Sequence, residues 1–531
     1  MLSIQHLSYA HPNEEPLFMD LNLTLRDHEK IALVGNNGSG KSTLLTVLAG
    51  KAAPLSGQIN FDTLPYYIPQ HFGQYDQLSI AEALQVDVKL NALYAILDGN
   101  LSDENYRMLD DDWTIEERCN KALQHWQLAG LDMNRKMGTL SGGQKTRIFL
   151  SGIAINEPAL VLLDEPSNHL DLAGRDLLYR FIQSTDSSLI VVSHDRKLLN
   201  LLDTVWELGK DGIIVYGGNY DFFKEQKEIE KNAFALALQA SEKALRKAKE
   251  KERKVLEQQQ RSDNRGKGKQ EKAGVARIMM NTLRNKAENS TSKVKDVHAD
   301  KIGGLSQQVK ALRSTVPDAD AMKMDFAQSN LHNGKVLFEG KDINFRYNEH
   351  WLWEKPLMVH ITSGQRLAVK GPNGSGKTTL LEIITGKKDP QAGTFYRADF
   401  NAVYIDQDYS LINNRLTVYE QAQKFSDGDL AEHEIKTRLN RFLFTKAYWD
   451  NYCSQLSGGE KMRLTLCCLT LSSRPPELVI LDEPTNNLDI QNIEILANAV
   501  NEYKGTLIVV SHDETFLQQV NMQHSVMNIE Y

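Results

Sequence analysis

Two stretches of the chain share one chemical design. GNNGSGKS places Gly35, Asn36, Asn37, Gly38, Ser39, Gly40, Lys41 and Ser42 in the spacing G-x-x-x-x-G-K-[ST], and GPNGSGKT repeats it with Gly371, Pro372, Asn373, Gly374, Ser375, Gly376, Lys377 and Thr378. The spacing suits a phosphate cradle. Glycines let the backbone close around phosphate oxygens, and loop N–H groups and a following helix N-terminus face the anion. The lysine reaches the outer phosphates while the hydroxyl can hold Mg²⁺. Thr43 and Thr379 follow directly. A second pair of segments, LVLLDEP and LVILDEP, carries two adjacent acids each. The apolar run reads as a buried strand that delivers Asp164 and Asp482 to a metal shell, leaving Glu165 and Glu483 to orient and deprotonate an attacking water.

These residues belong to a unit that occurs twice. KIALVGNNGSGKSTLL and RLAVKGPNGSGKTTLL are followed in the same order by Gln70 and Gln407, by TLSGGQKTRIFL and QLSGGEKMRLTL, by the acid pairs, and by SLIVVSHD and TLIVVSHD. The offset between copies is 336 residues at the lysines, 337 at the glutamines, 316 at Ser141 and Ser457, and 318 at the aspartates and histidines. The copies are therefore collinear, except that the first holds 21 additional residues between its glutamine and its LSGG. IALVG and LAVKG read as buried strands entering a glycine turn, and KSTLLTVLAG and KTTLLEIITG as helices closed by glycine. With the runs LVLLDE and LIVVS as central strands of a mostly parallel sheet, each copy is expected to be an α/β domain.

Bulk composition sets the context. The 531 residues are 41% hydrophobic and 24% charged, ordinary for a soluble protein of two or three domains. The N-terminal segment has no basic region followed by an apolar run, and no uncharged apolar run approaches the roughly 20 residues of a spanning helix, so a cytoplasmic chain is expected. Cys119, Cys453, Cys467 and Cys468 form no paired C-x-x-C blocks, which argues against zinc or an iron–sulfur cluster. The net charge of −8 is unevenly spread. Residues 241–310 hold 19 Lys and Arg against 9 Asp and Glu, leaving 42 against 60 elsewhere. A basic island sits in an acidic body.

With LSGGQ and LSGGE the chain resembles the ATP-binding cassette superfamily over nearly the whole of both repeats. The resemblance implies ATP and Mg²⁺ as ligands and composite sites, in which the signature of one cassette faces the phosphate loop of the other. Ser457, Gly458 and Gly459 would then cap the first loop, and Ser141, Gly142 and Gly143 the second. It also implies that Gln70 and Gln407 sense metal and water, that Asp171 and Asp489 bridge the cassettes, and that His194 and His512 hold the γ-phosphate. For the aromatic that stacks on adenine, Tyr347 fits in the second copy, while the aligned position of the first is His11, with Tyr9 matching Phe345.

The stretch between the copies separates the possible classes. Residues 221–260 contain no Gly or Pro and are rich in Ala, Lys, Glu, Leu and Gln, which predicts a helix about 60 Å long. Gly266, Gly268 and Gly274 are expected to break it. A second helical run then returns and ends in the spacing Ile302, Leu305, Val309, Leu312. The expected fold is α/β: two P-loop nucleotide-binding domains, residues 1–220 and 326–531, joined by a long antiparallel α-helical hairpin at 221–325 with a basic tip near 261–277. This arrangement is similar to the ABC-F family of ribosome-associated ATPases. The resemblance implies action on rRNA and the peptidyl-site tRNA, and a short arm within residues 87–117. A positive tip on a negative body would be drawn to RNA phosphates and oriented by them. Arg261, Arg265, Lys267, Lys269, Lys272, Arg277, Arg284 and Lys286 are the candidate contacts. The alternative is the ATPase subunit of a transporter with separately encoded membrane subunits, for which a basic hairpin has no evident use.

Overall fold

The computed structural model describes residues 2–12, 15–209, 212–272, 299–312, 334–426, 428, 430–472, 475–486 and 488–529. It divides into two units, Met1–Phe223 with Ala321–Tyr531, and Lys224–Asp320.

The first unit contains both repeats, each built on a parallel sheet. In the first repeat the strand order is Tyr66–Ile68, Leu160–Asp164, Ser188–Val192, Lys30–Val34, Thr204–Gly209, with Gly212–Tyr216 as an antiparallel edge. In the second it is Ala402–Ile405, Leu478–Asp482, Thr506–Val510, Arg366–Lys370, Val526–Asn528, all parallel. Strands LVLLD and SLIVV are buried along their whole length, as a parallel strand covered on both faces requires. Parallel packing has a positional consequence. The chain leaves the central strands at one edge of the sheet, which brings the glycine loop after Val34, the acid pair at Asp164 and the SHD segment after Val192 together.

A three-stranded antiparallel sheet accompanies each parallel one, ordered Pro16–Leu25, Leu2–Ala10, Ser56–Phe61 in the first repeat and Leu357–Thr362, Val336–Asn344, Ala392–Arg397 in the second. The two sheets share a core. Leu2, Ile4, Leu7 and Phe18 pack with Leu44, Leu45, Leu162 and Ile190, and Phe338 and Ile343 pack with Leu380, Leu381, Ile480 and Ile508. The helix following each glycine loop, Lys41–Leu48 or Lys377–Ile384, lies in that core and is held from both sides.

The repeats differ in their helical parts. Capping boxes at Ser79 with Glu82 and at Thr417 with Glu420 start corresponding helices. Among the described residues the second repeat then has Val418–Phe425 and Glu432–Arg441, whereas the first has Ile80–Ala83, Asp87–Leu97, Asp103–Leu109 and Ile115–His125. Asp112 ties this larger region together. It accepts from Lys89 Nζ at 3.1 Å and, in a two-pronged bond, from both Arg118 terminal nitrogens at 2.9 and 2.8 Å.

The second unit is dominated by the helix Tyr220–Lys272, 53 residues, about 80 Å at 1.5 Å per residue. This corrects the expectation that Gly266 and Gly268 end the helix. Glycine lacks a side chain but not access to helical φ and ψ; each costs only about 1 kcal/mol against alanine, and the flanking Arg, Lys and Gln favour the helix. Gly274 lies outside the described residues. Residues 299–312 form a second helical stretch, in which Ile302, Leu305, Val309 and Leu312 are its least exposed positions. It runs beside the first, since Ser306, Val309 and Lys310 line one groove with Gln239, Lys243, Arg246 and Lys249. Of the candidate RNA contacts, Arg261 is exposed on the long helix; Arg265, Lys267, Lys269 and Lys272 lie on its last turns; Arg277, Arg284 and Lys286 fall outside the described residues.

Candidate functional site

Each glycine loop enters its helix through a left-handed glycine. Gly40 has φ 96° and Gly376 φ 89°, and a Cβ on either would sit 2.6 Å from Leu17 or 2.5 Å from Leu352, so no other residue fits the turn. Lys41 Nζ folds back on its own loop, donating to Gly35 O at 2.7 Å and Asn36 O at 3.0 Å. Lys377 does the same with Gly371 O at 2.8 Å and Pro372 O at 2.9 Å. Burial lowers both ammonium pKa values, opposed in each case by the acid pair and by an aspartate of the other repeat. Ser39 Oγ and Ser375 Oγ are buried with no hydrogen-bond partner. A loop with one such orphaned hydroxyl and a lysine curled over it is a cradle with hydrogen-bonding capacity to spare.

The acids sit directly beside that cradle. Asp164 accepts from Ser42 Oγ at 3.0 Å, and Asp482 from the Tyr404 hydroxyl at 2.5 Å; burial raises both carboxyls. Glu165 and Glu483 take left-handed backbone angles, φ 51° and 48°, a strain of about 1–3 kcal/mol for a residue with a side chain. The strain is held by their N–H groups, which donate to Val192 O and Val510 O at 2.8 Å on the neighbouring strand. Burial, and next the charge of Asp164, push Glu165 up to about 8. Burial pushes Glu483 to about 7, with Arg175 pulling against it. His194 and His512 face these carboxyls, with Nε2 3.3 Å from Glu165 Oε1 and 3.5 Å from Glu483 Oε1. Burial, and then the nearby lysine charge, depress both imidazoles to about 4. A neutral imidazole and a carboxyl poised near neutrality therefore lie together at each site, a range suited to general-base work.

The repeats meet at these loops. Asn37 N–H donates to Asp489 Oδ2 at 3.2 Å, and Asn373 Nδ2 to His169 O at 3.1 Å. A cavity of about 360 Å³ beside the first loop is lined by His11, Asn37, Gly38, Gly40, Lys41, Ser42, Thr43, Gln70, Glu165 and His194, and by Ser457 of the other repeat. Ser457 and Ser141 are the N-caps of the helices Gly458–Leu471 and Gly142–Asn156, each in a capping box. The glycines after them allow close approach: a Cβ on Gly143 would lie 2.7 Å from His169 O, and one on Gly459 2.2 Å from the Asn492 amide. Gly142 and Gly458 open the same helices, and Gly371, Gly374 and Thr378 complete the second loop and its helix start. Asp171 and Asp489 cap the helices Leu172–Ser184 and Ile490–Glu502, and Asp171 also accepts from Arg147 at 2.7 Å. His11 stands edge-on to Tyr9 at 5.3 Å, as Tyr347 does to Phe345 at 5.1 Å, so the two aromatic pairs occupy the same register. Tyr347 bonds Thr379 at 3.1 Å and carries the Lys388 ammonium 4.9 Å above its ring. Gln70 faces the cavity, whereas Gln407 is exposed on the turn after Ala402–Ile405.

The donors near each cradle are oxygens: Ser42, Asp164 and Gln70 in the first, Thr378 and Asp482 with Gln407 beyond them in the second. That set fits a hard cation such as Mg²⁺. Sequence reasoning missed Tyr404 and its counterpart Tyr67, although both sit three residues before the glutamine in each copy. It also missed Arg175 and Arg196, which occur in one copy only.

The pattern of the family described as ABC transporter matches residues 18–168 and 354–486, more than half of the chain. The chain belongs to that family. It is a tandem ATP-binding cassette ATPase. "Uncharacterized ABC transporter ATP-binding protein YfmM" of Bacillus subtilis (strain 168) is 28% identical, covering 98% of the chain and 97% of that protein. "ABC transporter F family member 5" of Arabidopsis thaliana is 28% identical over 94% of the chain and 71% of its own length. Among solved structures, the "complex of archaeal ribosomal stalk protein aP1 and archaeal ribosome recycling factor aABCE1" covers 97% of the chain and 86% of its counterpart with TM-score 0.58 at 19% identity, a likeness of fold.

Proposed function

We propose that this ABC-F type ATPase binds ATP with Mg²⁺ at two composite sites between its cassettes and uses the helical unit between them to act on the ribosome, in the cytoplasm. The supporting observation is the unit itself: two complete cassettes are separated by a 53-residue helix with a basic far end, in a chain that is otherwise acidic. Among the described residues no helix is long and apolar enough to cross a membrane.

In this reading Ser42, Asp164 and Gln70 would hold Mg²⁺ in the first site, and Thr378, Asp482 and Gln407 in the second. Bound there, Mg²⁺ would neutralise charge on the β and γ phosphates. Lys41 and Lys377 exchange their loop carbonyls for phosphate oxygens. Ser457 with Gly459, and Ser141 with Gly143, supply N–H groups from a helix N-terminus to the γ-phosphate across the interface. Glu165 and Glu483 accept the proton of the attacking water, and His194 and His512, neutral at pH 7, orient that water and the γ-phosphate. His11 and Tyr347 stack on adenine, and Asp171 and Asp489 report closure from one cassette to the other. Arg261, Arg265, Lys267, Lys269 and Lys272, with Arg277, Arg284 and Lys286, meet RNA phosphates.

The test is sedimentation of the Glu165→Gln, Glu483→Gln double variant through a sucrose gradient of cell lysate with ATP. Closed but unable to hydrolyse, it is expected to travel with ribosomes. Recovery with membranes instead would favour the ATPase subunit of a transporter.

A further inference from the structure

The two halves of the cassette interface are pseudo-equivalent, and the 318-residue offset maps one onto the other. Their charges do not match. Arg196 of the first cassette meets Glu494 of the second at 3.2 Å, with the arginine largely buried. The equivalent residues of the other flank are Glu514 and Asp176, both acidic. Each of these finds its lysine inside its own cassette, Glu514 with Lys370 at 3.9 Å and Asp176 with Lys197 at 3.8 Å. The cross-cassette attraction on one flank is thus replaced on the other by two like charges, each paired within its own cassette.

The same inequality extends to the residues around it. Asp195 accepts from the Tyr179 hydroxyl at 2.6 Å and is faced by Arg175 at 3.7 Å. The positions matching that tyrosine and arginine in the second cassette are Ala497 and Ile493. Arg175 and Arg196 thus have no cationic counterpart in the second cassette.

Arg196 follows by two residues His194, which lines the Lys41 cavity, and Glu494 lies five residues beyond Asp489, which touches the loop of that cavity. The pair joins the two segments that must separate for the Lys41 site to open. We infer that the composite site built on Lys41 and Ser457 is held shut by a charge pair that the site built on Lys377 and Ser141 lacks, so that nucleotide leaves the two sites in a fixed order, the Lys377 site first. The inference rests on the two composite sites proposed above and adds an order to them. A half-exposed ion pair changes an opening rate only modestly, by about two- to five-fold, and reversal to a like-charge pair by somewhat more.

The experiment follows release of a fluorescent nucleotide. The full-length chain is incubated with Mg²⁺ and two equivalents of N-methylanthraniloyl-ATP, then mixed rapidly with excess unlabelled ATP. Two phases of equal amplitude are expected. Arg196→Glu should accelerate the slow phase by about three- to ten-fold and leave the fast one unchanged, and adding Glu494→Arg should restore the slow phase, which a merely misfolded variant would not do. Glu514→Lys, which faces Asp176 with a cation, should slow the fast phase. A single phase with two nucleotides bound, or two phases that neither Arg196→Glu nor Glu514→Lys alters, overturns the order of release. Fewer than two nucleotides bound per chain overturns the composite sites themselves.

Discussion

Glu165 and Glu483 concentrate the cost of the ATP sites in single residues, since each is buried, strained at φ near 50° and set against a buried aspartate. Their burial has a consequence for stability. A carboxyl raised from 4.5 to about 8 or 7 keeps its proton in the fold after the unfolded chain has lost it. Its contribution is fully present below about 4.5 and is lost as pH rises through 7 to 8. His194 and His512, depressed from 6.5 to about 4, act in the opposite sense and lose stability as pH falls below 6.5. In nucleotide-free, chelator-treated protein, Glu165→Gln with Glu483→Gln should therefore reduce the drop in Tm between pH 6 and pH 9, by about 2–4 °C; calorimetry at the two pH values measures it. With ATP and Mg²⁺ the same variant should bind nucleotide but hydrolyse it roughly 100-fold or more slowly, because the water has lost its base. These glutamates, the lysines and the histidines were legible in the sequence because their motifs fix type and spacing over a few residues. The Tyr404–Asp482 bond and the Arg196–Glu494 pair were not, since each joins segments whose approach only the folded sheet or interface decides.

At the scale of elements, the sequence was most readable where one periodicity held over many residues. The all-apolar strands, the Ser141 and Ser457 helix starts and the stripe at Ile302, Leu305, Val309 and Leu312 follow from local pattern alone. Glycine as a stop signal would end the long helix near residue 266, whereas 53 residues of otherwise favourable sequence carry it through two glycines. Gly152, by contrast, is under real constraint. Gly152 lies mid-helix in Gly142–Asn156, where a Cβ would fall 2.0 Å from the Tyr66 hydroxyl that bonds Phe149 O. Gly152→Ala should destabilise the first cassette by about 1–3 kcal/mol through overpacking, despite the better helix propensity of alanine. Thermal unfolding would register this as a lower Tm, and an unchanged or raised Tm would mean that Tyr66 moves aside freely.

For the whole molecule, the decisive features are duplication and charge segregation. Two copies of one fold, joined in one chain, are free to diverge at their interface, and the basic residues gather in the sequence between them. Both the duplication and the segregation could be read directly from residue order. The central claim is that the basic end of the helical unit engages ribosomal RNA while the cassettes hold ATP. The most direct measurement is the affinity of the Glu165→Gln, Glu483→Gln chain for ribosomes with ATP across a series of salt concentrations, with and without Arg265→Glu, Lys267→Glu and Lys269→Glu. The account predicts weaker binding for the charge-reversed chain, a log–log salt dependence shallower by about one unit per lost phosphate contact, and unchanged basal ATPase when the same three changes are made in the otherwise native chain. Equal affinity and equal salt slope with and without the three substitutions would contradict it.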